Sequence, residues 1–280
     1  MTEKSFPARL HILVPSAGES AVVIRRGPSK QTCILSWNTR TDDVHVSQWL
    51  YGRVYERRSD ISPDGKYWIY FAMNGRWSSK AKGSWTAIAR APWLKAIALM
   101  PKGDCWHGGG LFLDKKKYWL NDGYGHENAI ETSEVRRAPD APKDFQYFGG
   151  ECLTVYYNRL MRDGWTSIGR KQNGRHDVKM FFEKELPRGW TLRKICHEES
   201  AMLSPDGRGC YWDEHVLVSK SGQEETRPDW EWAERTGDSI CFAKNGRLFR
   251  IIIKKDKDVG EETLVHDFND YKFEKLEAPY

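Results

Sequence analysis

Long apolar runs are missing from this 280-residue sequence. No stretch approaches the roughly 20 apolar residues that a membrane-spanning helix needs. The first residues, Met-Thr-Glu-Lys-Ser-Phe-Pro-Ala, also lack an apolar core of signal-peptide length. We therefore expect a cytoplasmic protein that makes no use of a membrane.

Paired cysteines and helical periodicity are also scarce. The six cysteines, at positions 33, 105, 152, 196, 210 and 241, form no C-x-x-C motif and suggest no disulfide framework, so we expect reduced and mostly buried thiols. No window keeps a 3.6-residue apolar period over three turns. The best helical candidate, residues 127–137, is equally well explained as a loop. These absences argue against a helical protein and against a disulfide-stabilised one.

Charge of one sign is not concentrated in any part of the chain. The 44 basic residues are interspersed with 39 acidic ones, which gives a net charge of +5. Nucleic-acid-binding proteins usually gather their basic residues into a patch or stripe. The basic runs here are short, and we expect them on solvated loops and strand faces: Arg57-Arg58, Lys115-Lys116-Lys117, Arg136-Arg137 and Lys254-Lys255. A nucleic-acid partner is therefore disfavoured.

Aromatic and turn-forming residues are abundant. The chain contains 13 Trp, 12 Tyr, 11 Phe, 24 Gly and 12 Pro, and large flat side chains favour strands. Short apolar runs on either side of a turn recur at residues 10–26, 67–90, 111–120, 152–168 and 240–253. Asn-Gly and Asp-Gly between such runs are strong hairpin signals, because type I′ turns need positive φ. The pattern predicts successive hairpins, with a long connection at 121–146.

One turn repeats in sequence as well as in pattern. Residues 62–66 read Ser-Pro-Asp-Gly-Lys before an aromatic run, and residues 204–208 read Ser-Pro-Asp-Gly-Arg before another. This turn followed by an aromatic strand resembles the blade signature of TolB-type and WD40-like β-propellers. The resemblance implies a single all-β domain over residues 1–280, with about five to six blades of antiparallel strands. Gly65 and Gly207 should then occupy equivalent places in two blades.

The first 120 residues also resemble a family of uncharacterised bacterial proteins. The similar stretches are 25–29 (Arg-Arg-Gly-Pro-Ser), 52–58 (Gly-Arg-Val-Tyr-Glu-Arg-Arg) and 101–112, which includes Cys-Trp-His-Gly-Gly-Gly-Leu-Phe. No activity is known for that family. The resemblance therefore suggests a bacterial source and supplies no mechanism.

Three candidate chemistries can be weighed against the sequence. His107-Gly108-Gly109-Gly110 resembles the oxyanion-hole motif of lipases and esterases, but the partner motif G-x-S-x-G is absent, so a glycine-rich turn between strands explains it better. Cys105 with His107 could form half of a zinc site, as could Cys196-His197, yet no spacing supplies four ligands. The acidic pairs Glu198-Glu199, Asp213-Glu214 and Glu224-Glu225 could serve a glycosidase, but solvated surface explains them. We expect no metal and no cofactor.

The remaining hypothesis is that the protein binds another protein. Trp and Tyr dominate interface hot spots, and those beside turns meet solvent where a buried strand ends. Trp68 lies in a strongly apolar run and should be buried, whereas Trp77, Trp106, Tyr124 and Arg137 lie beside turns and are the predicted binding residues. The specific hypothesis is a non-catalytic immunity protein that occludes the active cleft of a bacterial toxin such as a nuclease. A glycan-acting hydrolase or lyase and a nucleic-acid-binding module remain as alternatives.

Overall fold

The computed structural model describes residues 6–27, 30–123, 125–149, 152–174, 177–198, 211–253 and 259–280. Strands account for 48% of these residues and helices for 6%. Five sheets of mainly antiparallel strands form five blades, which confirms the predicted β-propeller class. Backbone contacts group the chain into a larger unit, His11–Leu160 with Tyr271–Tyr280, and a smaller unit, Met1–Leu10 with Met161–Asp270.

The first two sheets confirm the hairpins predicted at 10–26 and 67–90. The first contains, in order, β1 (Arg9–Leu13), β2 (Ser20–Arg26), β3 (Gln31–Asn38) and β4 (Val44–Tyr51). The second contains β5 (Arg53–Val54), β6 (Asp60–Ile61), β7 (Tyr67–Met73), β8 (Ser84–Arg90) and β9 (Ala96–Pro101), with a 3-10 turn at Glu56–Arg58. Trp68 is fully buried between these strands, as predicted.

The third sheet is shorter and leads into the long connection. It contains β10 (Gly110–Phe112), β11 (Lys117–Leu120) and β12 (Arg136–Arg137), and β12 pairs with β11 in parallel. The helical window considered at 127–137 is not helical; it contributes β12 and a bridge between Ile130 and Leu99. Most of the described residues between 121 and 149 have no regular structure, as expected for a connection.

Residues 152–168 contradict the predicted hairpin in their first half. Leu153–Arg162 form the helix α1, and only the second half, from Thr166, is a strand. The β-branched and aromatic residues of α1 favour a strand, but packing and side-chain hydrogen bonds override that preference. Asn158 Nδ2 donates to Gln146 O at 2.7 Å, and Thr154 Oγ1 donates to Phe148 O at 2.6 Å. Residues four apart lie within about one turn on one face of a helix, so both side chains reach the incoming chain, whereas in a strand they would be about 13 Å apart.

The two sheets of the smaller unit are regular meanders. One contains β13 (Thr166–Gln172), β14 (Val178–Glu185), β15 (Thr191–Glu198), β16 (Trp212–Val218) and β17 (Glu224–Arg227), with a 3-10 turn at Pro187–Gly189. The other contains β18 (Trp232–Thr236), β19 (Ser239–Lys244), β20 (Arg247–Ile252) and β21 (Thr263–Asp267). Asn245-Gly246 forms the turn between β19 and β20 with both φ angles positive, as predicted.

The Ser-Pro-Asp-Gly turn can be described in one of its two copies. Ser62 Oγ accepts hydrogen bonds from the amides of Lys66 and Tyr67, and Gly65 takes a φ of 74°. The turn therefore starts β7 as expected. The second copy, with Gly207, lies outside the described residues, so the equivalence of the two glycines stays a prediction.

Candidate binding surface

The predicted binding residues lie on loops of the larger unit. Trp77 is in the β7–β8 connection and Trp106 in the β9–β10 connection, and each is 54% exposed. Arg137, in β12, exposes 41% of its side chain. Tyr124 lies outside the described residues. The exposure expected for the two tryptophans is confirmed, and their role in binding stays a prediction.

The two tryptophan loops are joined by hydrogen bonds at the start of β8. Ser84 Oγ donates to the carbonyl of Asp104 at 2.6 Å, and the amide of Lys102 donates to the carbonyl of Ser84 at 2.9 Å. The ring of Trp77 lies directly over Gly83, where any side chain would collide with it. The amide of Trp106 donates to Asp104 Oδ1 at 2.9 Å. Both indoles therefore project from one hydrogen-bonded junction.

A third loop joins this junction. The amide of Gly108 donates to Asn121 O, and the amide of Asn121 donates to Gly109 O, each at 2.9 Å. Lys82 Nζ and Glu127 Oε1 form an ion pair at 2.5 Å. We call residues 74–83, 102–109 and 121–127 (Tyr124 excepted) together with Arg137 the loop surface.

A buried arginine supports the loop of Trp106 from below. Arg58 is 2% exposed, and its Nη1 donates to the carbonyls of Cys105, at 2.7 Å, and of His107. Its guanidinium also lies 4.9 Å from the ring centre of Tyr55. These two carbonyls flank Trp106, so the backbone that carries the exposed indole is fixed on both sides. Arg57 and Arg58 were expected on solvated loops or strand faces. That expectation is wrong, because both are buried, Arg58 beneath the Trp106 loop and Arg57 against the ring of Tyr156.

A buried relay of polar side chains connects the loop surface to β8. Thr86 Oγ1 accepts the amide proton of Gly109 at 2.9 Å and lies 3.1 Å from His126 Nε2. His126 Nδ1 lies 2.7 Å from Asp122 Oδ1, and Arg137 Nη2 donates to Asp122 Oδ2 at 2.6 Å. The carboxylate can only accept, so Nδ1 carries the proton and the Thr86 hydroxyl donates to Nε2. The exposed guanidinium is thus oriented by groups that reach the core.

Burial favours the neutral form of the relay histidine. The side chain of His126 is fully buried. Burial lowers its pKa below the ordinary value, although the carboxylate of Asp122 favours the protonated ring. Burial alone would raise the pKa of Asp122, but the hydrogen bonds from His126 and Arg137 bring that pKa below its ordinary value. A neutral imidazole beside an ionised carboxylate matches the hydrogen-bond pattern of the relay.

Two backbone donors of the glycine-rich stretch beside the relay are engaged in hydrogen bonds. His107, Gly108 and Gly109 have φ values of 55°, 83° and 73°, so the stretch is a turn that leads into β10. The amide of Gly108 is bound to Asn121 and that of Gly109 to Thr86. Thr86 is fully buried. A threonine, a histidine and an aspartate are therefore aligned next to a possible oxyanion hole, but the hydroxyl is enclosed and the two N–H groups are occupied.

The smaller unit contains a second buried polar cluster that sequence reasoning missed. Lys194, 1% exposed, places Nζ 2.8 Å from His215 Nε2 and 4.0 Å from Asp213 Oδ2. His215 Nδ1 lies 2.9 Å from Trp230 O. Glu198 and Asp213 were expected on solvated surface, which is wrong, since both are at most 5% exposed. The cluster forms because strand pairing places Lys194 of β15 opposite His215 of β16. The sequence alone does not give this register.

The proposed zinc half-sites do not assemble within the described part of the chain. No group of three or more His, Cys, Asp or Glu side chains there could hold a metal ion. Cys105 is an exposed free thiol, and the His107 ring packs against Gly123.

Among the described residues, no helix has the length and apolar character needed to cross a membrane. No family model matches the chain, and a search of curated proteins finds no match either.

Proposed function

We propose that this protein is a non-catalytic binding module that recognises another protein through the loop surface. The observation that carries the proposal is Trp106, a half-exposed indole on a backbone fixed by Arg58. A large rigid side chain that is already ordered before binding loses little conformational entropy in a complex. Trp and Arg are also the residue types most enriched in interface hot spots.

The charge pattern of the loop surface favours a protein over a nucleic acid. Basic and acidic side chains alternate in ion pairs: Lys82 with Glu127, Lys102 with Asp104, and Arg137 with Asp122. A phosphate backbone presents charge of one sign, so each of these carboxylates would repel it. A protein surface can present both signs in a complementary arrangement.

The finer proposal is a cytoplasmic immunity protein that neutralises a bacterial toxin, such as a nuclease, by covering its active cleft. The sequence resemblance to bacterial proteins supports it. The exposed Arg76 and Lys80 beside Trp77 would complement the acidic metal-binding groups that nuclease clefts contain. A rigid scaffold with exposed loops is also suited to occlusion, because binding residues are commonly placed on loops.

The enclosed relay supports a role without catalysis. A nucleophile must reach its substrate, and Thr86 has no exposed surface. An oxyanion hole needs free donors, and Gly108 and Gly109 have none to offer. The relay instead explains how Arg137 is held in place for a partner.

The test uses Trp106→Ala and Arg137→Ala, with Tyr147→Ala as the matched control. Tyr147 is 80% exposed and lies outside the loop surface. With the toxin encoded by an adjacent gene, each loop-surface variant should weaken binding by about 2 kcal/mol or more while melting stays nearly unchanged. The control should bind normally.

Stoichiometry separates binding from catalysis. Toxin activity should fall linearly and reach zero at one molecule of this protein per toxin. Protection at substoichiometric amounts would show that the protein destroys or modifies something, and the binding proposal would be abandoned. Tight binding of a 20-nucleotide single-stranded DNA or RNA that weakens steeply with salt would favour the nucleic-acid alternative.

A further inference from the structure

The C-terminal residues of the larger unit lie across its surface as an extended segment. Residues 271–280 contain no helix or strand, and none of the ten is buried. We call them the strap. Its contacts to the rest of the unit come from side chains at a few points, in contrast to the continuous ladders of the sheets.

An aromatic anchor holds the strap near its first residues. Phe273 stacks on Tyr51 of β4, with ring centres 4.6 Å apart, and also contacts Trp49 at 5.9 Å. Phe273 and Tyr51 nevertheless remain 41% and 51% exposed. The anchor is therefore shallow, and its loss would expose aromatic surface on β4.

A glutamine of β4 donates a hydrogen bond to the backbone of the strap. Gln48 Nε2 donates to the carbonyl of Leu276 at 3.1 Å. Gln48 Oε1 accepts from the amides of Leu94, at 2.8 Å, and Lys95, at 3.1 Å. The amides of residues 94 and 95 thus orient the side chain of Gln48 so that its Nε2 can donate to the main chain of a peptide bound along β4.

A second aromatic is bound at the far end of the strap. The Tyr280 hydroxyl donates to Lys95 O at 2.6 Å and accepts from the amide of Arg90 at 3.2 Å. The cations of Arg90 and Lys95 lie 4.7 Å and 5.3 Å from its ring centre. Two main-chain groups and two cations therefore converge on one phenol, an arrangement that selects tyrosine over phenylalanine.

The site retains a polar group that the strap does not satisfy. The indole N–H of Trp49 is buried and has no hydrogen-bond acceptor among the described residues. A buried donor without an acceptor is costly. A peptide that supplied a carbonyl at this point would hold an advantage over the strap.

We propose that β4 and residues 90–95 form a binding site for an extended peptide of a partner protein, and that the strap is a displaceable occupant of this site. The partner peptide carries an aromatic residue at one end and a tyrosine seven residues later. Extended peptides are commonly recognised through main-chain hydrogen bonds and alternating side-chain pockets. The site is independent of the loop surface, and the proposal does not rest on the toxin hypothesis.

The test keeps the full chain during folding. A protease site is inserted between residues 270 and 271, the folded protein is cleaved, and a fluorescent peptide of residues 271–280 is added. We expect saturable binding by fluorescence anisotropy, which shows that the site accepts a peptide in trans. Peptides with Phe273→Ala or Tyr280→Phe should bind several-fold to about tenfold more weakly, since an aromatic pair or a hydrogen bond contributes on this scale. A Lys272→Ala peptide is the control, because Lys272 is exposed.

Three outcomes would overturn the proposal. The cleaved strap could remain bound through dialysis and resist exchange, which would make it an integral part of the fold. It could leave while the added peptide fails to bind, which would mean that the contacts do not form a site. Uncleaved protein could form a stable dimer by light scattering that Gln48→Ala dissolves, which would assign the site to the strap of a second copy.

Discussion

Replacing Thr86 with valine tests whether the relay holds the loop surface together. Valine keeps a branched side chain of similar size in a central strand but removes the hydroxyl. The amide of Gly109 then loses its acceptor and Nε2 of His126 loses its donor. Leaving a buried polar group unsatisfied costs about 1–3 kcal/mol, so two such groups should lower the free energy of unfolding by at least about 2 kcal/mol.

Thr86→Ser is the matched control for this change. It keeps the hydroxyl and loses one methyl group, which should cost about 1 kcal/mol. Urea unfolding followed by tryptophan fluorescence gives the stability of both variants, and hydrogen exchange at the amide of Gly109 gives the local effect. The reasoning would be refuted if the valine variant were as stable as the serine variant and the Gly109 amide remained equally protected.

Three further predictions concern charge and backbone conformation. Because the pKa of His126 is lowered by burial, the unfolded chain binds more protons below about pH 6.5, so stability should fall as the pH drops through this range, and His126→Gln should flatten the dependence in a urea series. Gly109→Ala should unfold the turn before β10, since Gly109 has a φ of 73° and an added Cβ would collide with the carbonyl of Arg58. Thermal unfolding followed by circular dichroism should give a Tm well below that of Gly125→Ala, whose Cβ meets open space. Lys194→Met should destabilise the smaller unit by about 3–5 kcal/mol, because it removes a buried cation that lies 4.0 Å from the carboxylate of Asp213. Lys194→Met with Asp213→Asn should regain part of that loss in the same denaturation assay.

Local signals predicted most of the fold because hairpins depend on local chemistry. Asn245-Gly246 needs positive φ at both positions, and Ser62 caps its own turn, so neighbours in sequence settle both structures. The helix α1 was missed for the opposite reason. Its side-chain preferences favour a strand, and the hydrogen bonds that stabilise the helix come from the tertiary placement of residues 146–148.

The candidate site likewise has features that neighbouring residues predict and features that only tertiary contacts determine. Turn residues beside Trp77 and Trp106 predicted their exposure, because a strand that ends at a turn releases its next side chain to solvent. Nothing local predicted that Arg58 would lie beneath Trp106, since the two are brought together by the pairing of separate strands. An Arg-Arg dipeptide has the same composition on a solvated loop and in a core, and only the carbonyls that surround it decide between the two.

The relay shows why a set of residue types does not by itself establish chemistry. In sequence, Asp122 and His126 are four residues apart, and Thr86 lies 40 residues before His126. The fold nevertheless aligns the three side chains at hydrogen-bond distance. The same three groups at a solvent-filled cleft would resemble a hydrolytic site. Here the hydroxyl is fully buried, and its second hydrogen bond comes from the very glycine amide that an oxyanion would need. The alignment therefore fixes Asp122, and through it Arg137, within the loop surface.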